Sequence, residues 1–470
     1  VSGRGRAWLA LPPLAFLGFF FAWPLITVLV RGLSPEAGVP SGALLRVIAD
    51  PYLQQVLWFT TWQALASTLL TLAVGLPIAG VLTHLDFPGR RAIEASLMVP
   101  FVLPTVVVGS AFVALLGWLA PIVDLRRSVA AILLAHVFFN VAVVVRSVGG
   151  LWQHLDTEPV LAARTLGATR WRAFREVTLP RLRPSIAASA AIVFLFTFTS
   201  FGVVLILGGA GRSTIEVEIH RSTAQLLDLR TAAALSIIQL LAVLATLTLY
   251  GRARTGGARQ RLRPAGRARH RARSLAERSA ITASLTVLAA LHGAPLAALV
   301  VRSLRVGDGL GLDHYRSLAG TTRETVLAVA PAIAVRNSLT FALAATLIAV
   351  VVGTLASLAA VGGGAVTRVV DGALMLPLGT SAVTLGLGLL LAFRSGVFAG
   401  RGSLLLVPIA QALVATPFVV RTMLPVLRGI DERLREAAAT LGAPPGRVWR
   451  EIDLPIVSRA GLVAAGFAFA

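Results

Sequence analysis

The 470-residue chain contains no cysteine and no lysine, and only 14% of its residues are charged, against roughly a quarter in an ordinary soluble domain. Without cysteine there is no disulfide framework, no Cys-ligated metal or iron–sulfur site and no thiol nucleophile. Without lysine there is no Walker A loop, whose Lys reaches the nucleotide phosphates, so the chain is not itself a P-loop ATPase. The charge that remains is one-sided. The 43 basic residues are all Arg and face 21 acidic ones, a formal net charge of +22.

What is present instead is apolar: 56% of the residues are hydrophobic. A membrane-spanning helix needs about 20 mostly apolar residues. Such runs fall at 8–30, 56–82, 97–118, 129–145, 185–207 and 232–250, then at 280–301, 337–361, 372–393 and 404–420. A further run opens near 460 and meets the end of the sequence at Ala470. None alternates with period two, which excludes barrel strands. The first run is too long for a signal peptide and lacks a small-x-small cleavage site, so it is taken as a retained span. The expected fold class is an all-α polytopic membrane protein.

Arginine placement sets the orientation. With the N-terminus in the cytoplasm, 29 of the 43 Arg fall in cytoplasmic segments, and the three most basic segments are all inside. Segment 252–273 alone carries nine Arg and no acid. Without aromatic residues to stack on bases, it reads as a flexible linker facing anionic lipid rather than a nucleic-acid-binding arm. No nucleic-acid partner is expected; the bilayer is.

The two halves repeat each other. LAARTLGATRWRAFREVTLP at 161–180 matches EAAATLGAPPGRVWREIDLP at 436–455, with a constant spacing of 275 residues. Arg146 and Arg421 close matching apolar runs at the same spacing, LMVP at 97–100 parallels LMLP at 374–377, and 64–75 parallels 342–353. Each copy of the loop predicts a short helix with a small-residue face, ended by Gly167 or Gly442 as a C-cap. A second helical turn should follow, and Leu-Pro should break the chain before the next span. The chain is thus divided into a first half at 1–250, a basic linker at 251–279 and a second half at 280–470 whose repeat is truncated: ten full spans and the start of an eleventh, where symmetry predicts twelve.

E-A-A-x-x-x-G followed about a dozen residues later by x-L-P resembles the cytoplasmic loop of permease subunits of binding-protein-dependent ABC importers. The resemblance covers essentially the whole chain and implies a type I ABC importer permease fold, with two tandem repeats of about six transmembrane helices. It also implies two coupling helices that dock on a dimer of ATPase subunits. Ala162, Ala163, Gly167, Leu179 and Pro180 would form one loop; Glu436, Ala437, Ala438, Gly442, Leu454 and Pro455 the other. The first copy has Leu161 where the family has Glu. The fused form is most similar to the thiamine permeases, on the stretches 51–72, 132–146 and 196–222, and next to the ferric-iron permeases.

The resemblance further implies a bacterial plasma-membrane location, an extracytoplasmic solute-binding protein, and ATP with Mg on the partner subunit and no cofactor on this chain. The solute would be thiamine or its phosphates, with ferric iron as the alternative. A secondary transporter driven by an ion gradient would need intramembrane carboxylates, and it leaves the duplicated loop unexplained. No catalytic constellation is present, so an enzyme is not expected.

Within the spans, His136 and Asn140 lie four residues apart on one helix face beside Phe138 and Phe139. They are candidates for a solute path, with interhelical hydrogen bonding as the alternative. A single His without a carboxylate or thiolate is a poor metal site, so no metal is expected. Gln63, Gln239 and His292 are taken as packing groups. Glu216 and Glu218, on an outer loop, either meet the binding protein or are solvated.

Overall fold

The computed structural model describes residues 3–33, 42–209, 211–257, 269–317, 330–361, 364–395, 398 and 403–469. In chain order the first half runs α1 (Trp8–Leu33), α2 (Pro51–His84), α3 (Arg90–Ser96), α4 (Thr105–Leu119), α5 (Val129–His154), α6 (Glu158–Thr165), α7 (Arg170–Phe198), α8 (Ile215–Ala224) and α9 (Leu229–Arg252). The second runs α10 (Leu275–Leu304), α11 (Pro331–Ala360), α12 (Gly364–Gly379), α13 (Ala382–Ala392), α14 (Leu404–Gly429), α15 (Glu432–Thr440) and α16 (Gly446–Phe469). Among the described residues, nine of these are long and apolar enough to cross a membrane, and α4 and α13 are shorter apolar helices.

The two short helices occupy the third run of each half, and both are broken at equivalent places. Pro104 and Ser381 precede them with nearly identical extended backbone, φ −58°, ψ 138° and φ −60°, ψ 140°. Hydropathy of 97–118 and 372–393 reports only the surrounding solvent, so these breaks do not show in it. The run at 185–207 is interrupted as well, because α7 ends at Phe198 and a six-residue helix restarts at Gly202.

Elsewhere the helix ends follow local chemistry. Asp50 caps α2 by accepting hydrogen bonds from the amides of Tyr52 (2.8 Å) and Leu53 (3.2 Å), with Pro51 at the first helical position. Ser274 and Glu277 form a reciprocal capping box at the start of α10.

Among the described residues, four π turns punctuate the spans, at Gly18–Ala22, Phe174–Thr178, Ala289–Gly293 and Trp449–Asp453. Each is followed by one residue and then a proline: Pro24, Pro180, Pro295 and Pro455. A proline ring clashes with the carbonyl four residues before it. The widened turn moves that carbonyl away, so the helix continues through X-Pro. Leu179-Pro180 and Leu454-Pro455 therefore do not break the chain, contrary to the sequence expectation.

The second and fourth spans of each half meet through the same close contact. A Cβ on Gly75 of α2 would lie 2.8 Å from Val144 Cβ of α5, and one on Gly353 of α11 would lie 2.6 Å from Val419 Cγ1 of α14. Only glycine lets these backbones approach so closely.

The compact units do not follow the repeat boundary. One contains Val1–Leu44, Ser222–Leu240 and Tyr315–Ala470; the other contains Leu45–Arg221 and Leu241–His314. Within the first, Ala10, Leu17 and Phe21 of α1 are buried with Ala356, Leu374, Leu389 and Leu413 of the second half. Within the other, Leu288 of α10 is buried with Ile78, Leu82 and Val141 of the first half. The first span of each half thus packs on later spans of the other. Part of the basic linker is ordered too: the helix of α9 continues to Gly257, and β2 (His270–Arg271) pairs in parallel with β1 (Leu85–Asp86). Residues 258–268 of the expected linker lie outside the described residues.

Candidate functional site

The duplicated loop folds into the same object twice. α6 ends at Thr165; the amide of Ala168 then donates to Ala163 O (3.0 Å) and that of Gly167 to Arg164 O (3.1 Å). In the other copy, Ala443 donates to Ala438 O and Gly442 to Ala439 O, both at 3.0 Å. This is a Schellman ending, whose turning residue must be left-handed. Gly167 has φ +89° and Gly442 φ +81°, where a side chain is strained. A short helical turn follows at Arg170–Ala173 or Pro445–Val448, then the π turn, then the span.

Ahead of the glycine, the surface is arranged alike. Ala162 and Ala437 are exposed, Ala163 and Ala438 half-buried, and Glu436 exposed. Leu179 and Pro180 are half-buried, while Leu454 and Pro455 are exposed. Leu166 and Leu441, one residue before each glycine, are each 88% exposed. A leucine so placed at the tip of a small-faced helix, in both copies, is apolar surface that none of the described residues covers. These two residues sit inside the repeated T-L-G string, but sequence reasoning read only its small residues and glycine.

The two elements are anchored differently. Trp171 stacks on Phe174 (centroids 5.7 Å, 28°), Phe174 meets Trp152 of α5 (5.7 Å), and Trp152 meets His84 at the end of α2 (5.0 Å, edge-on). Arg181 Nη1 adds a hydrogen bond to Asp156 O (2.7 Å). In the other copy, Gly446 and Leu427 stand where Trp171 and Trp152 would be. Arg435 of α15 there donates through Nε to the buried carboxylate of Asp453 in the π turn (3.0 Å). The corresponding first-copy residues are Val160 and Thr178. Both copies share an exposed ion pair one helical turn long, Arg172–Glu176 (3.1 Å) and Arg447–Glu451 (2.8 Å).

The candidate solute-path residues are placed inside a helix bundle. Phe138 is fully buried with Phe112, Ile132, Val203 and Leu207. His136 Nδ1 and Ser67 Oγ of α2 share a 2.9 Å hydrogen bond, and Asn140 donates to His136 O of its own helix (2.9 Å). Gln63 Nε2 donates to Thr197 O of α7 (3.0 Å). Only Phe139 is partly exposed. The interhelical hydrogen-bonding alternative describes His136, and Phe138 is core. Glu216 and Glu218 are 1% and 3% exposed. The Tyr52 hydroxyl donates to Glu218 Oε2 (2.8 Å), with Ser213 Oγ also in range. Neither carboxylate is solvated or presented on the surface that contact with a binding protein needs. Residues two apart lie on different sides of a helix, so only tertiary packing buries both carboxylates.

Comparison with known proteins decides the family. The model described as binding-protein-dependent transport system inner membrane component matches residues 71–253. The thiamine transport system permease protein ThiP of Brucella abortus (strain 2308) is 30% identical over 438 residues, covering 90% of this chain and 78% of that one. The chain belongs to this family. It is a permease of a binding-protein-dependent ABC importer, a transport component rather than an enzyme, with the all-α polytopic fold of type I permeases. The ThiP protein of Salmonella typhimurium (strain LT2) is 33% identical over 241 residues, 48% of the permease and 45% of that protein. The sulfate transport system permease protein CysT of Escherichia coli (strain K12) is 33% identical over 171 residues, 35% of the permease and 62% of that protein. Permeases of this family work with an ATPase subunit and a binding protein, which agrees with the absence of a lysine-bearing phosphate loop here.

Proposed function

We propose that the permease forms the membrane path of an importer for thiamine or its phosphate esters, driven by ATP and Mg bound on a separate ATPase dimer. An extracytoplasmic binding protein delivers the solute. The chain lies in a bacterial inner membrane with its N-terminus in the cytoplasm, the orientation that puts most Arg inside. The observation that carries the reading is the pair of matching exposed elements, each a small-faced helix, an exposed leucine and a left-handed glycine. A two-fold ATPase dimer offers two equivalent grooves and needs two such elements. Their continuity with α7 and α16 through the π turns gives a rigid lever, so closure of the ATPase dimer biases a two-state equilibrium between inward- and outward-facing forms.

The relatives' names support thiamine as the solute over ferric iron. The test is uptake of labelled thiamine into vesicles holding the permease with its ATPase and binding protein. ATP-dependent accumulation that unlabelled thiamine competes away, and ferric ion does not, is the expected result. Accumulation of ferric ion instead would overturn the solute assignment.

A further inference from the structure

The two halves differ at one place where their repeat would make them alike. In the first half, a half-open cleft of about 250 Å³ lies between the end of α2, α3 and α5, lined by Thr83, Arg146, Gly149, Gly150 and Gln153 among others. At the matching repeat positions, the second half has Val361 for Thr83, Leu424 and Pro425 for the two glycines, and Arg428 for Gln153. There bulkier or more strongly charged side chains occupy the matching positions. Leu424 is buried in a core cluster against which Val361 packs, and Arg428 Nη2 reaches the terminal carbonyl of α11 at Ala360 (3.1 Å). Four substitutions, each to a smaller or more hydrogen-bonding side chain, open the first-half cleft, while the arginine itself is kept as Arg146 and Arg421.

The polar groups on this cleft, Glu94 apart, can all donate hydrogen bonds. Thr83 is 6% exposed, and its buried Oγ1 has no hydrogen-bond partner among the described residues. Arg146 is hydrogen-bonded to the Met98 thioether, a weak acceptor. The Gln153 amide supplies two more donors. The one carboxylate on the lining, Glu94, is already paired with Arg90. Ala79, Leu82, Leu97 and Val145 make the remaining wall apolar. The cleft sits at the last turn of a span, on the side the Arg distribution turns to the cytoplasm. Basic pockets between helices at that depth suit phosphate head groups, and arginine matches phosphate through paired N–H donors.

We infer that this cleft is a binding site for a phosphate group carried on an apolar body, present in the first half and plugged in the second. Its two possible sources are an anionic phospholipid of the inner leaflet and a soluble organic phosphate. Arg146 holds the phosphate oxygens, Thr83 and Gln153 add hydrogen bonds, and the space left by Gly149 and Gly150 admits the ligand. A Cβ at Gly150 meets nothing within 4 Å, so a side chain there fills the cleft without displacing the backbone.

The full permease is placed in nanodiscs of mixed phosphatidylglycerol and phosphatidylcholine, and the lipid it retains is counted by native mass spectrometry. A parallel arm titrates phenyl phosphate calorimetrically in phosphatidylcholine alone. The wild type should retain one phosphatidylglycerol per chain or, if the source is soluble, bind phenyl phosphate in that ratio. Gly150→Leu and Arg146→Gln should each weaken this at least tenfold, and Arg421→Gln should not. Should Gly150→Leu fail to fold, Arg146→Gln against Arg421→Gln decides alone. Binding of neither probe by the wild type, or equal loss in Arg146→Gln and Arg421→Gln, would overturn the assignment.

Discussion

The first copy of the repeated loop is held by rings and the second by an ion pair, although the two share backbone, cap and spacing. Trp171, Phe174, Trp152 and His84 form a ladder from the loop to the ends of α5 and α2. Arg435 and Asp453 instead tie α15 to the π turn behind it. The common parts are those that a partner would touch: the small helix face, the exposed leucine and the left-handed glycine. The divergent parts are those that only fix the element to its own bundle.

The largest expected effect comes from attacking what is common. Gly167→Val with Gly442→Val forces two β-branched residues into left-handed backbone, at about 1–2 kcal/mol each, and reshapes both docking faces. Uptake in vesicles should fall more than a hundredfold, while membrane insertion, read by protease protection, is unchanged. Attacking the first anchor comes next. Phe174→Ala removes the middle rung of the ladder. Because the ring is half-buried, about 2 kcal/mol is expected rather than the full cost of a core phenylalanine. Protease should cut faster at 158–178 and at an unchanged rate at 432–453.

The mirror experiment breaks the second anchor. Asp453→Ala should cost about 1–2 kcal/mol and loosen 432–453 alone, since Arg435 stays partly solvated. Arg435→Val with Asp453→Thr, which copies the first element's residues, should recover part of that loss in a double-mutant cycle. The smallest effect concerns the contact between Arg170 and Glu277, 3.9 Å apart and largely exposed on the Arg side. Glu277→Gln keeps an acceptor for the capping box and removes the charge that faces both Arg170 and His270, whose Nε2 lies 3.4 Å from Glu277 Oε1. The thermal unfolding temperature should fall only slightly, and by less at high salt.

Much of this architecture was legible in the sequence, for reasons that also mark where legibility stopped. Span number follows from apolar length, and the eleven runs reappear as nine long helices and two short ones. The C-cap glycines were readable because few other residues fit a left-handed turn. The continuation of the helix through Leu179-Pro180 was not, because proline rules assume an α-helical turn and a π turn relaxes them. Nor was the exchange of first spans, since an apolar run marks a span without naming its neighbours. Glu216 and Glu218 looked like surface acids because sequence gives a residue's polarity and not its neighbours; Tyr52 lies more than 160 positions from Glu218.

The chain's lack of cysteine makes the central claim directly measurable. Leu166→Cys and Leu441→Cys each introduce one thiol into a protein that otherwise has none, at the tip of one coupling element. In the permease alone, both should react quickly with a membrane-impermeant maleimide applied from the cytoplasmic side. Adding the ATPase dimer should slow both reactions to the same degree, at least tenfold. A thiol at either position that reacts as fast with the ATPase present as without it would contradict the account of two equivalent docking elements.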